Sequence, residues 1–324
     1  MNQISQPSVS FILPILNEER DLENCVSAIL QQDYLGSIEI ILALGPSIDK
    51  TTQIANTIAA GDTRIKLVDN PTGQTARGLN LAIKSSSYEI ICRIDGHSEI
   101  DRAYIKTAVL IMQETGAVNV GGLMYANSEF GLQRTIAQAM RSKLGVGPSK
   151  FHTGGKAGAS DTVYLGVFKK SAIIAAGGFD ERYIRAQDWE LNHRMRKQGG
   201  LIWFDPRLIV TYRPRNSFSK LAKQYFQYGR WRRVIARQHP QTVNYRYLAP
   251  PIAVVITLVS IFTGLFINRI LILPSLAYIF LLLIGGFLIG KKLVDRLIMP
   301  FVLATMHFSW GVGFLTSPKK LFKD

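Results

Sequence analysis

The residues best equipped for chemistry stand in one stretch, Tyr88-Glu-Ile-Ile-Cys-Arg-Ile-Asp-Gly-His97. It begins as a mixed run of β-branched and apolar residues, the pattern of a buried strand. It then turns polar within three residues, Asp95-Gly96-His97. A buried strand ending in a carboxylate, a glycine and an imidazole brings cation- or phosphate-binding groups to the mouth of a parallel sheet. Ligands of open α/β sheets sit at that edge. The plainer alternative is that Asp95 and His97 only cap the helix whose first turn follows near Asp101.

Charge supplies the second signal. The 324-residue chain carries a formal net charge of +15, with a sequence pI of about 9.9. Nucleic acid, anionic lipid or an anionic substrate would each suit such a balance. Placement decides among them. Between Pro206 and Tyr247 there is no Asp or Glu, while Arg207, Arg213, Arg215, Lys220, Lys223, Arg230, Arg232, Arg233, Arg237 and Arg246 all fall there. This block runs directly into a long apolar segment, which points to a membrane surface and away from nucleic acid. The composition is 47% hydrophobic, and the mean hydropathy of +0.12 owes its excess to the C-terminus. Cys25 and Cys92 lie in apolar patterns without metal or disulfide spacing, as in a reducing compartment. Met1–Pro7 is short and polar, without the pattern of a signal peptide.

The elements that must position Asp95 and His97 follow an alternating order. Residues 9–16, 38–44 and 65–68 read as strands, with helical spacing over 22–30, 51–59 and 75–83 between and after them. The pivot strand comes next. Such alternation predicts a doubly wound parallel sheet. Beyond it, 104–114 and 132–141 read as helices and 118–125 as a strand. Residues 145–160 form a polar, Gly-rich loop of the kind that is usually functional. A strand over 163–168, a short helix over 171–176 and a polar turn at 177–182 follow. A helix over 188–198 stops at Gly199-Gly200, and strands over 201–204 and 208–212 close the domain. Residues 217–238 place Phe218, Leu221, Tyr225, Trp231 and Ile235 near one face among Lys and Arg, as in a membrane-surface helix.

Residues 248–267 and 270–290 are each long enough to span a bilayer. A third apolar segment, 297–315, is interrupted by Pro300 and His307. Basic clusters precede the first span, follow the second (Lys291, Lys292, Arg296) and end the chain (Lys319, Lys320, Lys323). Two spans keep all three clusters on the cytoplasmic side, whereas three export the tail. The expectation is therefore two spans and an interfacial or re-entrant third segment.

Assembled, these pieces resemble the family 2 glycosyltransferases of GT-A fold, in particular the membrane-attached branch that builds exopolysaccharides such as succinoglycan. The likeness covers roughly residues 8–240. Pro14-Ile-Leu-Asn-Glu-Glu19 resembles the opening nucleotide-binding segment, which implies donor contacts from Pro14, Leu16, Asn17 and Glu18. Ser47-Ile-Asp-Lys-Thr51 resembles the following turn and adds Ser47 and Asp49. Where the family usually has an acidic pair that reads the base, this chain has Leu44 and Gly45. Ile94-Asp95-Gly96-His97 resembles the Asp-x-Asp motif, so Asp95 and Gly96 would face the sugar nucleotide. Asp95 and His97 would hold a divalent cation, Mn²⁺ or Mg²⁺; the imidazole tilts the choice to Mn²⁺. Gly178-Phe-Asp-Glu181 and Gln187-Asp188-Trp189-Glu190 resemble the acceptor-side segment, whose Asp is the family's general base, here Asp188 with Gln187 and Trp189 beside it. The bland alternative for Asp188 is a plain helix cap. Gln227-Tyr-Gly-Arg-Trp231 spells a Gln-x-x-Arg-Trp motif of processive synthases. It implies Arg230 on phosphate oxygens and Gln227 and Trp231 beside the acceptor, or, alternatively, lipid anchoring by the same residues. Arg213, His152 and Lys156 are weaker candidates for phosphate or acceptor contacts.

The resemblance implies a metal-dependent, inverting transfer of a hexose from a nucleotide diphosphate sugar to a lipid-linked saccharide. Other polysaccharide-assembly proteins would be further partners. The expected layout is a catalytic domain over 1–215, a basic interfacial segment over 216–247 and a transmembrane region over 248–324. The site of action would be the inner (plasma) membrane, with the catalytic domain cytoplasmic. Two alternatives stay open: a transferase that charges polyprenyl phosphate itself, and a non-catalytic, membrane-tethered nucleotide-binding subunit. Two or three spans make a poor polymer channel, which argues against a processive synthase.

Overall fold

The computed structural model describes residues 6–322; the N-terminal residues 1–5 and Lys323 of the basic tail lie outside the described residues. In chain order the first half runs β1 (Val9–Ile15), α1 (Leu22–Leu30), β2 (Ile38–Leu44), α2 (Thr51–Gly61), β3 (Ile65–Asp69), α3 (Thr75–Ser85), β4 (Ile90–Arg93), β5 (Glu99–Ile100) and α4 (Tyr104–Thr115). Then come β6 (Asn119–Ala126), α5 (Gly131–Met140), α6 (Lys143–Val146), α7 (Lys150–Thr153), β7 (Gly158–Ala159), β8 (Tyr164–Lys169), α8 (Lys170–Ala175), α9 (Gln187–Lys197) and β9 (Ile202–Tyr212). The chain ends with α10 (Phe218–Gln238), α11 (Tyr245–Phe266), α12 (Leu273–Ile289) and α13 (Leu293–Leu315). Two compact units result: Met1–Tyr125 with Gly154–Tyr212, and Ala126–Thr153 with Arg213–Asp324.

The first unit is built on a mixed sheet in the order β3-β2-β1-β4-β8-β6-β9-β5, with β7 paired to β9. From β3 to β4 the strands are parallel. β8 then pairs antiparallel with both β4 and β6. β1 and β2 are apolar on both faces because helices cover both sides of a parallel sheet. Phe11, Leu13, Ile40, Leu42, Ile105 and Val167 are all fully buried in one core. The α/β reading therefore holds, with the sheet mixed rather than parallel throughout. The last two expected strands are one, since β9 runs through Pro206; Asp205 accepts the backbone N–H of Arg207 at 2.9 Å there. Residues 145–160, expected as open loop, contain α6, α7 and β7.

In the second unit, α10 packs along α13, and α11 and α12 pack on α13 as well. Gly229 and Gly313 allow the α10 and α13 backbones to approach closely. Among the described residues, three helices are long and apolar enough to cross a membrane: Tyr245–Phe266, Arg269–Ile289 and Leu293–Leu315, with mean hydropathies of 2.1, 2.4 and 1.5. The third is one continuous 23-residue helix with Pro300 inside it. The segment 126–153 belongs to this unit through α5. There Asp295, fully buried at the start of α13, accepts from Arg134 (2.9–3.1 Å), Thr135 (3.0 Å) and Gln138 (3.0 Å).

Candidate active site

At the end of β4 the chain turns sharply, with Ser98 N–H donating to the Asp95 carbonyl at 2.9 Å. Neither Asp95 nor His97 caps the following helix. The N-cap of α4 is Ala103, without a side-chain cap bond, and Asp101 just ahead of it accepts from Ala103 N–H at 2.9 Å. A Cβ on Gly96 would lie 2.8 Å from Ile15 Cδ1 and 3.0 Å from Glu18 Cγ, so a larger residue there would push those two side chains aside. His97 Nδ1 stands 2.8 Å from Glu18 Oε1. That hydrogen bond raises the His97 pKa above its ordinary value, with burial opposing and the charges of Glu18, Asp95 and Asp21 adding to it.

The end of β4 also holds a residue that sequence reasoning passed over. Arg93 is almost fully buried, and its guanidinium forks. One arm donates to Asp95 Oδ1 at 3.1 Å, and the other to Asp188 Oδ1. The guanidinium also lies 6.0 Å from the Phe179 ring centroid. Asp95 and Asp188, 93 positions apart in the chain, are thus gathered at one cation. Their side chains are 24% and 26% exposed, so solvent reaches both carboxylates. The signal in the sequence was an arginine inside an otherwise apolar strand, where an unpaired charge is costly.

Asp188 is held in place by a polar but buried helix. Ala186 takes a left-handed backbone (φ 64°) and turns the chain into α9, which puts Gln187 and Asp188 in the first turn. Negative charge there and Arg194, Arg196 and Lys197 in the last turn both suit the helix dipole. Inside, Asn192 accepts from Asn119 at 2.7 Å and donates to Thr162 Oγ1 at 3.0 Å. Trp189 stacks on His193 with ring centroids 5.2 Å apart. Arg194 grips Glu190 at 2.6 and 2.7 Å and donates to the Gly178 carbonyl at 2.7 Å. Asn80 of α3 holds the same loop from the other side, bonding Phe179 N–H and carbonyl, both at 2.8 Å. The Gly178–Glu181 motif is therefore clamped by two helices.

The two nucleotide-side loops are laced together. Asn17, left-handed at φ 57°, accepts Ile48 N–H at 2.9 Å, and its own N–H donates to Ser47 Oγ at 3.0 Å. Glu18 N–H donates to Thr51 Oγ1 at 2.7 Å, and Lys50 N–H to Glu19 Oε2 at 3.1 Å. Asp49 caps α2 through Thr51 N–H at 3.1 Å; the Thr51 hydroxyl leads the causes that lower its pKa. Pro14 sits in β1 opposite Ala43, and Leu16 is exposed beyond the strand end. The missing acidic pair has a steric counterpart. A Cβ on Gly45 would meet Gly73 Cα at 3.0 Å and Leu16 Cδ1 at 3.1 Å, so a carboxylate side chain would need the loop to shift.

The remaining candidates divide between the units. Lys156 is exposed in the first unit. Arg213, His152, Gln227, Arg230 and Trp231 belong to the second. Trp231 is enclosed there at 2% exposure. Arg230 lies 5.6 Å over the Phe226 ring, and its carbonyl accepts from Ser317 Oγ at 3.0 Å. Burial, aided by Arg246, pushes the His152 pKa down to about 3.

Asp95 and His97 offer one hard oxygen donor and one imidazole whose ring is oriented by a carboxylate, as in many metal-ligating histidines. No group of three or more His, Cys, Asp and Glu converges on one point among the described residues. The donor set fits a cation completed by phosphate oxygens of a ligand, the usual way Mg²⁺ and similar ions are held, and not an all-protein cage.

Comparison with known proteins now decides the family. The model of the family "Glycosyl transferase family 2" matches residues 10–175, just over half of the chain. The chain belongs to this family. It is 26% identical over 317 residues to the succinoglycan biosynthesis protein ExoA of Rhizobium meliloti, covering 97% of this chain and 96% of that protein. A Methanococcus voltae dolichyl N-acetyl-α-D-glucosaminyl phosphate diacetamido-dideoxy-glucuronosyltransferase is 27% identical over 68% of this chain and 71% of its own length. Among solved structures, the mannosyltransferase PcManGT of Pyrobaculum calidifontis, in complex with GDP-Man and Mn²⁺, superposes with a TM-score of 0.64. It is 16% identical and covers 97% of this chain and 89% of that one. This likeness places the family 2 chain in the GT-A fold.

Proposed function

We propose that this family 2 chain is an inverting glycosyltransferase that moves a hexose from a nucleotide diphosphate sugar to a lipid-linked saccharide during polysaccharide assembly. The observation that carries the reading is the gathering of Asp95 and Asp188 at the strand ends, one from the Asp-x-Asp-like turn and one from the first turn of α9. A bound divalent cation would be held by Asp95 and His97 and would neutralise charge on the diphosphate leaving group. Asp188 accepts the proton of the acceptor hydroxyl as its oxygen bonds to the anomeric carbon and the bond to the diphosphate breaks. Such a base contributes about 10²–10⁴ in rate. The laced loops at 17–19 and 47–51 present Asn17, Glu18, Ser47 and Asp49 to the nucleotide. Gln187 and Trp189 flank the base in the first turn of α9.

A lipid-linked saccharide is preferred over bare polyprenyl phosphate because of the relative that is named for transfer to a dolichyl-linked sugar phosphate. A groove of about 400 Å³ in the second unit, lined by Ala222, Lys223, Phe226, Phe308, Ser309 and Val312, supports a lipid acceptor by its apolar walls and single ammonium. For topology, α11 and α12 form a hairpin through the inner membrane, and α13 lies along the interface on the cytoplasmic side. Contacts at both ends of α13 support this: Asp295 on α5, and the Ser317 and Pro318 carbonyls accepting from Arg237 of α10 at 2.7 and 3.2 Å.

The test is a panel of nucleotide sugars given to the membrane-reconstituted protein with extracted lipid-linked acceptors, with and without Mn²⁺. Metal-dependent transfer to the lipid-linked saccharide is expected. Transfer to bare polyprenyl phosphate alone would favour the charging reaction, and no turnover of any nucleotide sugar would favour the non-catalytic subunit.

A further inference from the structure

We propose that Arg93 is a positioning residue that yokes Asp95 to Asp188, so that the donor-side and acceptor-side carboxylates keep one fixed spacing. The inference rests on the reading of Asp188 as base and Asp95 as donor-side ligand. It starts from an anomaly of composition. A strand that only had to fill the core would place a hydrophobe between Cys92 and Ile94, both fully buried. Arg93 is instead a nearly buried charge, which is costly unless it is paired. Its two terminal nitrogens go to two different carboxylates, Nη2 to Asp95 and Nη1 to Asp188. A guanidinium does this with a planar, pre-formed fork; an ammonium on a flexible stem does not.

Both partners come from well-fixed elements, and so does the guanidinium. β4 is an interior strand between β1 and β8. The Phe179 ring beside the guanidinium sits in the loop clamped by Asn80 and Arg194. Arg93 Nε has no hydrogen-bond partner among the described residues, so the side chain spends its polar contacts on the two carboxylates. A displacement of Asp95 is therefore passed through one rigid group to Asp188. Donor engagement and placement of the base become one event. Precise spacing of reacting groups matters at this scale, since misplacement of a group by about 1 Å can cost about 10²-fold in rate.

The experiment is a double-mutant cycle on the full chain in lipid nanodiscs, with Arg93→Gln, Arg93→Lys, Asp188→Asn and the two combinations. Turnover and the KM of donor and acceptor are measured separately, and nucleotide-sugar binding is followed by calorimetry. Arg93→Gln is expected to lower kcat about 10²-fold while changing donor affinity only a few-fold, and Arg93→Lys to recover part of the loss. In the Asp188→Asn background the Arg93 substitutions are expected to cost almost nothing more. Equal losses in both backgrounds, or wild-type kcat in Arg93→Gln, would overturn the proposal. If Arg93→Gln does not fold, the Arg93→Lys cycle makes the same comparison. Full activity of Asp188→Asn by itself would instead remove the base assignment, a separate failure.

Discussion

Two charged clusters, one in each unit, look alike in a list of ion pairs and differ in their arithmetic. In the second unit a single carboxylate, Asp295, is fully buried and served by Arg134, Thr135, Gln138 and the Lys292 N–H. In the first unit a single guanidinium, Arg93, serves two carboxylates that remain about one-quarter exposed. The first arrangement has more donors than the acceptor needs, and solvent is excluded. It fixes α13 to α5 and leaves nothing for a ligand. The second has negative charge in excess and open to solvent, the condition for attracting a cation and an acceptor's proton. Surplus donors mark a staple, and surplus acceptors mark a site.

The contrast breaks first at Asp188. Asp188→Asn should lower transfer by about 10²–10⁴ with nucleotide binding within a few-fold of wild type, as read by turnover and calorimetry. The opposite pattern is expected at Asp295. Asp295→Asn leaves the half-buried Arg134 without its countercharge and turns a buried amide NH₂ toward other donors, and breaking such a pair is destabilising. A fall of about 5–10 °C in the thermal midpoint of the solubilised protein is expected, with kcat of the remaining folded fraction unchanged. A smaller effect on the site comes from Gly96→Ala. Its new methyl would press on Ile15 and Glu18, and an activity loss of about tenfold by displacement is expected, without the loss of melting temperature expected for Asp295→Asn.

The smallest expected effect is a pH slope, and it belongs to another buried carboxylate, Glu39. Burial pushes its pKa up, but hydrogen bonds from Lys66, Ser10 and Ser87 outweigh burial, and the net shift is downward. A depressed carboxylate stabilises the fold fully above its unfolded pKa of about 4.3, and the contribution is lost as pH falls through the folded value. Thermal melts taken from neutral to acidic pH should therefore show a shallower acid loss in Glu39→Gln than in wild type.

Much of this was legible in the chain. The alternation of apolar runs gave the parallel half of the sheet, because each run is short and local and the central ones, β1 and β4, are buried on both faces. The antiparallel half was not, since the pairing of β8 with β4 and β6 depends on partners far apart in sequence. Asp95, His97 and Asp188 were singled out through motifs at strand and helix ends, and the structure brings Asp95 and Asp188 to one guanidinium. Arg93 was missed because an arginine in an apolar run carries no motif; only its two distant partners reveal it. The grouping of 126–153 with the C-terminal helices was equally hidden, for Asp295 and Arg134 are 161 positions apart.

The lacing between Asn17–Glu19 and Ser47–Thr51 has a consequence for how the chain can change its diet. The lacing bonds each run from a backbone N–H of one loop to a side chain of the other, so the wall stands whether or not anything leans on it. Ile48 projects from it almost fully exposed, and Leu16 is partly exposed beside Gly45 and Gly73. Such a mount lets the Ile48 side chain be exchanged for others without rebuilding the frame, so under the proposed donor role a new preference needs no new architecture.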